Sequence, residues 1–144
     1  RLVFETLRRL EEKNLQPVPQ DSSLSSYAPK LKKEDGLIDW SKSAAEIHNR
    51  IRGLEPWPGA YTFSKSKRLR ICKTEMAPSG SGDQAGKIAR ISDHGIEVGT
   101  GDGRILVTQL QPEGKKRMAA KSFLAGHKIN PGDEWVSSKI STLS

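Results

Sequence analysis

The stretch "EPWPGAYTF", residues 55–63, sets two prolines, a tryptophan and a glycine between a segment of helical periodicity and one of strand periodicity. Pro56 disfavours helical angles at Glu55, so the helix before it must end there, and Gly53 suits the left-handed cap of its last turn. Pro58 and Gly59 then turn the chain into a first strand. Trp57 is expected to plug the core, and so is Trp40, because the apolar pattern around both is thin.

Upstream of the joint, Ser43 and Glu46 have capping-box spacing, and Ala44, Ile47, Ile51 and Leu54 recur at steps of three and four along one face, which predicts a short helix. Downstream the period becomes two. "KRLRICK" alternates, with Arg68, Arg70 and Cys72 on one side and Leu69 and Ile71 on the other. "GKIARIS", "GIEVGT" and "RILVTQL" follow as short strands separated by the turn sequences "SDHG" and "GDG", while "APSGSGDQAG" reads as a small, polar, mobile loop. "MAAKSFLAGHK" predicts a second helix with Ala120, Phe123 and Leu124 inward. With "AYTF" included, these segments predict a mainly β domain with flanking helices, a small barrel of five to six strands, because so short a sheet must curl to hide its edges.

Before this region, "LVFETLRRLEEK" (2–13) places Leu2, Val3, Thr6, Leu7 and Leu10 on one helical face, and "QPVPQDSSLSS" (16–26) has the prolines and serines of exposed coil. We expect residues 1–19 to be the remnant helix of a preceding domain, 20–40 an interdomain linker, and 41–144 the barrel. Opening on Arg1 inside an amphipathic helix, the chain reads as a piece of something longer.

The 144 residues bound the architecture to one modest core, and only 34% are hydrophobic. The longest aliphatic runs, such as Ile105-Leu106-Val107, fall far short of the ~20 residues of a membrane span, so no membrane partner is expected. A single cysteine, Cys72, forms no internal disulfide and fits a reducing compartment. Enzyme motifs fail in turn. Five residues before Gly86 stands Ser81 where a phosphate loop needs glycine, and Ile88 after Lys87 offers no magnesium ligand. "GTGDGR" opens no helix and reads as a hairpin turn. His48, His94 and His127 have no metal-binding spacing and are expected on the surface, and Cys72 is expected to be structural. We therefore predict no catalytic residue and no metal site.

Basic residues are the remaining signal. The formal net charge is +7, and residues 60–144 hold fourteen Lys and Arg against eight Asp and Glu, whereas residues 1–59 hold ten against nine. Lys65, Lys67, Arg68, Arg70 and Lys73 form one cluster, equally readable as a solvated face. "GKKRMAAKSFLAGHK" carries Lys115, Lys116, Arg117, Lys121 and Lys128 with no acid among them, which favours an anionic partner such as nucleic acid.

"IDWSKSAAEIHNRIRGLEPWPGAYTF" followed by "TGDG" and "LQPEGKKRM" resembles the C-terminal part of the methionyl-tRNA formyltransferase family, over essentially the whole chain. The resemblance implies an OB-like barrel that helps hold initiator methionyl-tRNA, joined to an N-terminal domain carrying the catalytic residues and 10-formyltetrahydrofolate. It implies no cofactor and no catalysis in this part alone, a monomer, and a cytoplasmic (bacterial) or organellar-matrix setting. "VPQDSSLSSYAPKL" resembles the family's interdomain linker, and residues 2–13 the last helix of its catalytic domain. By the same resemblance Lys115, Lys116 and Arg117 match a basic turn after the last strand, and Lys128 a basic position after the C-terminal helix; His127 stands where some members have arginine. Lys121 belongs with these, Lys30, Lys32 and Lys33 are candidate linker contacts, and Lys87, Arg90 and Arg104 are added from strand position. Two alternatives stand beside this reading: the equivalent domain of a folate-dependent hydrolase or sugar formyltransferase, and a purely structural barrel.

Overall fold

In the computed structural model, which describes residues 2–78, 80 and 84–138, the chain divides into two units, residues 1–30 and 31–144. In the first, helix α1 (Leu2–Glu11) is laced by ion pairs one turn apart, Arg9 to Glu5 at 2.7 Å and Arg8 to Glu12 at 3.6 Å. Its apolar stripe of Leu2, Val3, Leu7 and Leu10 lies exposed, and Phe4 with it. The Asp21 carboxylate then accepts from the Ser23 amide at 2.9 Å and its hydroxyl at 2.7 Å, capping a single 3₁₀ turn, Ser22–Leu24.

The second unit contains helix α2 (Ala44–Gly53), strands β1 (Tyr61–Ser64), β2 (Lys67–Ala77), β3 (Ile88–Ser92), β4 (Gly95–Gly99), β5 (Arg104–Pro112) and β6 (Met118–Ala119), helix α3 (Ala120–Gly126) and strand β7 (Trp135–Val136). The sheet is antiparallel in the order β3-β4-β5-β2-β1-β7, with β6 paired to β5. Its two ends meet. Lys87 before β3 bridges Glu134 before β7, the Ile88 amide donates to Asp133 O at 2.9 Å, and the Trp135 amide to Gly86 O at 2.8 Å. The sheet therefore curls into the expected strand-rich barrel, its edges satisfied by these links. Among the described residues, no helix is long and apolar enough to cross a membrane.

Ile71, Ile96, Val98, Ile105, Val107 and Leu110 are fully buried inside the curl; Ala44, Ile47 and Ile51 of α2 and Ala120 and Phe123 of α3 close it. The Ser43 hydroxyl caps α2 and Glu46 returns the bond to the Ser43 amide, the capping box read from the sequence. Trp40, 3% exposed, lies 6.1 Å from the Trp135 ring. Its Nε1 donates to the Thr62 hydroxyl at 3.0 Å, which donates onward to Val136 O at 3.0 Å. One buried polar relay thus ties the segment before α2 to β1 and β7. The "TGDG" turn is pinned to the same segment: the Gly101 amide meets the Trp40 and Lys42 carbonyls, each at 2.9 Å, and a Cβ there would fall 1.8 Å from Ser41 O.

Three expectations about the fold are corrected. Gly53 makes no left-handed cap: it is the last residue of α2, and Leu54, right-handed at φ −92° and ψ −4°, caps the helix with its amide donating to Arg50 O at 3.0 Å. Trp57 does not plug the core: it is 55% exposed, because Trp40 and Trp135 already fill the aromatic positions inside. The joint that carries it has cis Glu55–Pro56 and Trp57–Pro58 peptides and is fastened from outside by Arg70, which donates to Glu55 Oε1 at 3.0 Å and to Pro56 O at 2.7 Å. Gly59, at φ +77°, lets that guanidinium lie against the backbone, since a Cβ would sit 2.5 Å from Arg70 Nε. Cys72 is not on an outer face with Arg68 and Arg70. The β2–β5 register shifts between Ile71 and Lys73, so Cys72 turns inward beside Ile71 and is 6% exposed. Residues 79 and 81–83 of the loop read as mobile lie outside the described residues.

The β1–β2 hairpin closes through Lys65 and Ser66, with φ of 48° and 64°, between the paired Ser64 and Lys67. Two left-handed residues make a type I′ turn, which ordinarily takes Asn-Gly. We therefore expect Ser66→Gly to raise unfolding stability by about 1 kcal/mol, and Leu110→Ala, which opens a cavity at the centre of the sheet, to lower it by about 2–5 kcal/mol. Urea denaturation reads both.

Candidate nucleic-acid interface

Antiparallel pairing of β2 with β5 puts the first residues of one strand beside the last residues of the other. Leu69 faces Pro112, Arg70 faces Gln111, and the Glu113 amide donates to Arg68 O at 3.2 Å. The cluster at the start of β2 therefore meets the basic turn after β5, although the two are far apart in sequence. They line one groove of about 390 Å³, which takes Lys65, Lys67 and Arg68 from the hairpin, Lys115 from the turn and Lys128 from the segment after α3, over a floor that includes Phe123 and Ile129. Glu113 is the single acid in its lining.

Several of these side chains are held in place. The Arg68 guanidinium lies 3.9 Å from the Tyr61 ring centroid, a cation–π contact. Lys65 Nζ donates to Lys128 O at 3.0 Å and approaches Asp133 at 3.5 Å, which draws the hairpin and the segment after α3 together. His127 stacks on Phe123 with centroids 4.2 Å apart at the groove wall, and its Nδ1 lies 3.1 Å from Phe123 O. Lys116 is exposed on the turn between β5 and β6. Arg117, beside it, donates to Gln109 Oε1 at 2.8 Å and to Cys72 O at 3.4 Å, so it also braces the turn.

The other residues singled out from the sequence lie elsewhere. Arg104 begins β5 opposite Ala77, the far end of the ladder, about 26 Å from the Leu69–Pro112 pair at ~3.3 Å per residue. Arg104 and Arg90 grip the buried Glu97 of β4 from two sides, at 3.2 and 3.0 Å. Lys87 is exposed beside the link that closes the sheet. Lys121 on α3 pairs with the exposed Asp93 at 3.2 Å. Lys32 and Lys33 belong to the barrel unit and are exposed, and Lys30 to the first unit.

No group of three or more His, Cys, Asp or Glu side chains is placed to hold a metal among the described residues. His48, expected on the surface, is half-buried with Nδ1 2.9 Å from the Thr74 hydroxyl; His94 is exposed in its turn. Burial pushes the Cys72 thiol up from its ordinary pKa, the neighbouring Glu55 charge adding to the effect, so the thiolate is disfavoured.

The sequence pattern missed the participation of Lys65, Lys67 and Arg68 in one groove with the later lysines. The signal was in the sequence as a charge cluster, but its neighbours are set by strand register.

Residues 30–128 match the family model for the formyl transferase C-terminal domain. The methionyl-tRNA formyltransferase of Citrifermentans bemidjiense is 50% identical over 131 residues, 91% of this chain and 41% of that protein. That of Geobacter sulfurreducens is 46% identical over 130 residues, 90% of this chain and 40% of that protein. The chain thus spans about 40% of the length of the curated relatives it matches. Among solved structures, HypX from Aquifex aeolicus in complex with tetrahydrofolic acid shares the fold with a TM-score of 0.60 at 18% identity, over 90% of this chain and 25% of that one.

The Glu97 grip implies that Arg90 and Arg104 serve the fold. Glu97→Gln should lower stability by ~2 kcal/mol, because it removes the charge between two guanidiniums, one of them largely buried. Affinity for nucleic acid at the groove should stay unchanged, as measured by thermal melting and filter binding on the same preparation.

Proposed function

The chain belongs to the formyl transferase C-terminal domain family, and on that premise we propose that it is the tRNA-holding domain of a methionyl-tRNA formyltransferase. The parent enzyme would transfer a formyl group from 10-formyltetrahydrofolate to the amino group of methionine on initiator tRNA, with chemistry and folate binding in the preceding catalytic domain. This chain supplies RNA binding and is inactive by itself. Residues 1–19, whose helix leaves an apolar stripe uncovered, are read as the end of that catalytic domain, and the proline- and serine-rich stretch after them as the linker. The bacterial source of the similar methionyl-tRNA formyltransferase supports a cytoplasmic setting, and the proposed working state is a monomer.

The observation that carries the RNA-binding role is the meeting of Lys65, Lys67, Arg68, Lys115 and Lys128 around one groove with a single acid among them. Lys116 and Arg117 extend this surface along the β5–β6 turn. Cations so arranged track a phosphate backbone, and structured RNA is held mainly through backbone and shape. The opposite end of the ladder, where Arg90 and Arg104 are paired to Glu97, contributes less to the field.

Binding should be electrostatic. In a filter-binding salt series with initiator tRNA, log K should fall against log salt by ~0.7 to 0.9 per phosphate neutralised. Lys116→Glu should reduce both the affinity and the slope. A flat salt response, or wild-type binding by Lys116→Glu, would count against the role.

A further inference from the structure

Beside the basic groove lies a second one, of about 380 Å³, lined by Lys33, Trp57, Pro58, Arg68, Arg70 and the 111–114 segment. Arg68, Pro112 and Glu113 line both grooves, so the two are continuous. Trp57 is 55% exposed, and its two neighbours in the chain are prolines. The backbone on one side of it is held by Arg70 through Glu55 and Pro56 O. An exposed indole on so constrained a backbone loses little freedom when a flat partner covers it.

We propose that Trp57 is a stacking platform for one unpaired base of the bound RNA. The inference rests on the RNA-binding role proposed above. Charge favours this occupant. Lys33, Arg68 and Arg70 line the same groove as the indole, and Arg68 also lines the lysine-rich groove. Glu113 sits at the junction and disfavours phosphate there, so the backbone follows the lysines while a base and its sugar turn across the junction onto the indole. A stack of this kind is indifferent to base identity, because every base presents a π face.

The full chain carries its own reporter, since Trp40 and Trp135 are buried and Trp57 is the exposed tryptophan. Fluorescence titrations would use initiator tRNA, an unstructured single-stranded RNA, and a blunt RNA duplex with the same number of phosphates. The single strand and the tRNA should quench Trp57 and shield it from acrylamide, whereas the duplex should not. Trp57→Leu should weaken single-strand binding about five- to tenfold, Trp57→Phe should restore most of it, and duplex affinity should be equal for all three proteins. Thermal melting checks that both variants fold, and the quenching measurement needs no variant. RNA binding with a normal salt slope but no quenching, or undiminished single-strand affinity in Trp57→Leu, would overturn the stacking site and leave the electrostatic role standing. Loss of all RNA binding by the wild type would overturn both. Trp57 already shielded from acrylamide in the unliganded chain, with RNA affinity unchanged in Trp57→Leu, would mark a protein contact and also overturn the proposal.

Discussion

The antiparallel ladder between β2 and β5 runs from Leu69 opposite Pro112 to Ala77 opposite Arg104, and almost every other feature of the barrel is placed by it. β4 pairs on the far side of β5, β1 on the far side of β2, and β6 docks on the end of β5. Both the basic groove and the Glu97 ion pairs lie along this one ladder, at opposite ends. A slip of one residue would exchange inward for outward side chains along the strand. It would also separate the lysines of the hairpin from those of the turn, so folding register and binding surface are a single constraint. The ladder departs from regular alternation around Lys73, with register shifts on both sides of it, and the shift between Ile71 and Lys73 buries a thiol instead of exposing it.

Local chemistry made much of the fold legible. The Ser43–Glu46 box, the steps of three and four through Ala44, Ile47 and Ile51, and the alternation of Leu69 and Ile71 each report a period that a few residues suffice to show. The missed features depend on partners distant in sequence. β7 is two residues long and has no period to detect; it exists because the Thr62 hydroxyl, the Phe63 backbone and the segment around Lys87 provide its bonds. The Lys65–Ser66 turn lacks the glycine or asparagine that usually announces such a hairpin, and Trp57 was assigned to a core whose aromatic places belong to Trp40 and Trp135.

The candidate site was legible in part for the same reason. An acid-free run such as the one holding Lys115, Lys116, Arg117, Lys121 and Lys128 is a property of sequence alone, so the turn and its neighbours stood out. Whether a charge faces solvent, a carboxylate or an aromatic ring is a property of contacts. Arg70 joined the first cluster by sequence and is a structural fastener; Arg104 was chosen by strand position and grips a buried acid. Formal charge therefore overstates the field near the sheet's far end and understates how sharply it is focused at the near end.

Gly59 illustrates a hazard for genetic dissection of such a surface. It has no side chain to offer a ligand, yet any side chain added there meets the Arg70 guanidinium, and through Arg70 the clamp on Glu55 and Pro56 that orients the joint. A screen for binding-defective alleles would recover this glycine alongside the lysines. Scored by phenotype alone, a residue that acts only through the placement of Arg70 would be mapped as part of the footprint. The outline of the surface drawn from such alleles would be broader than the surface the partner touches.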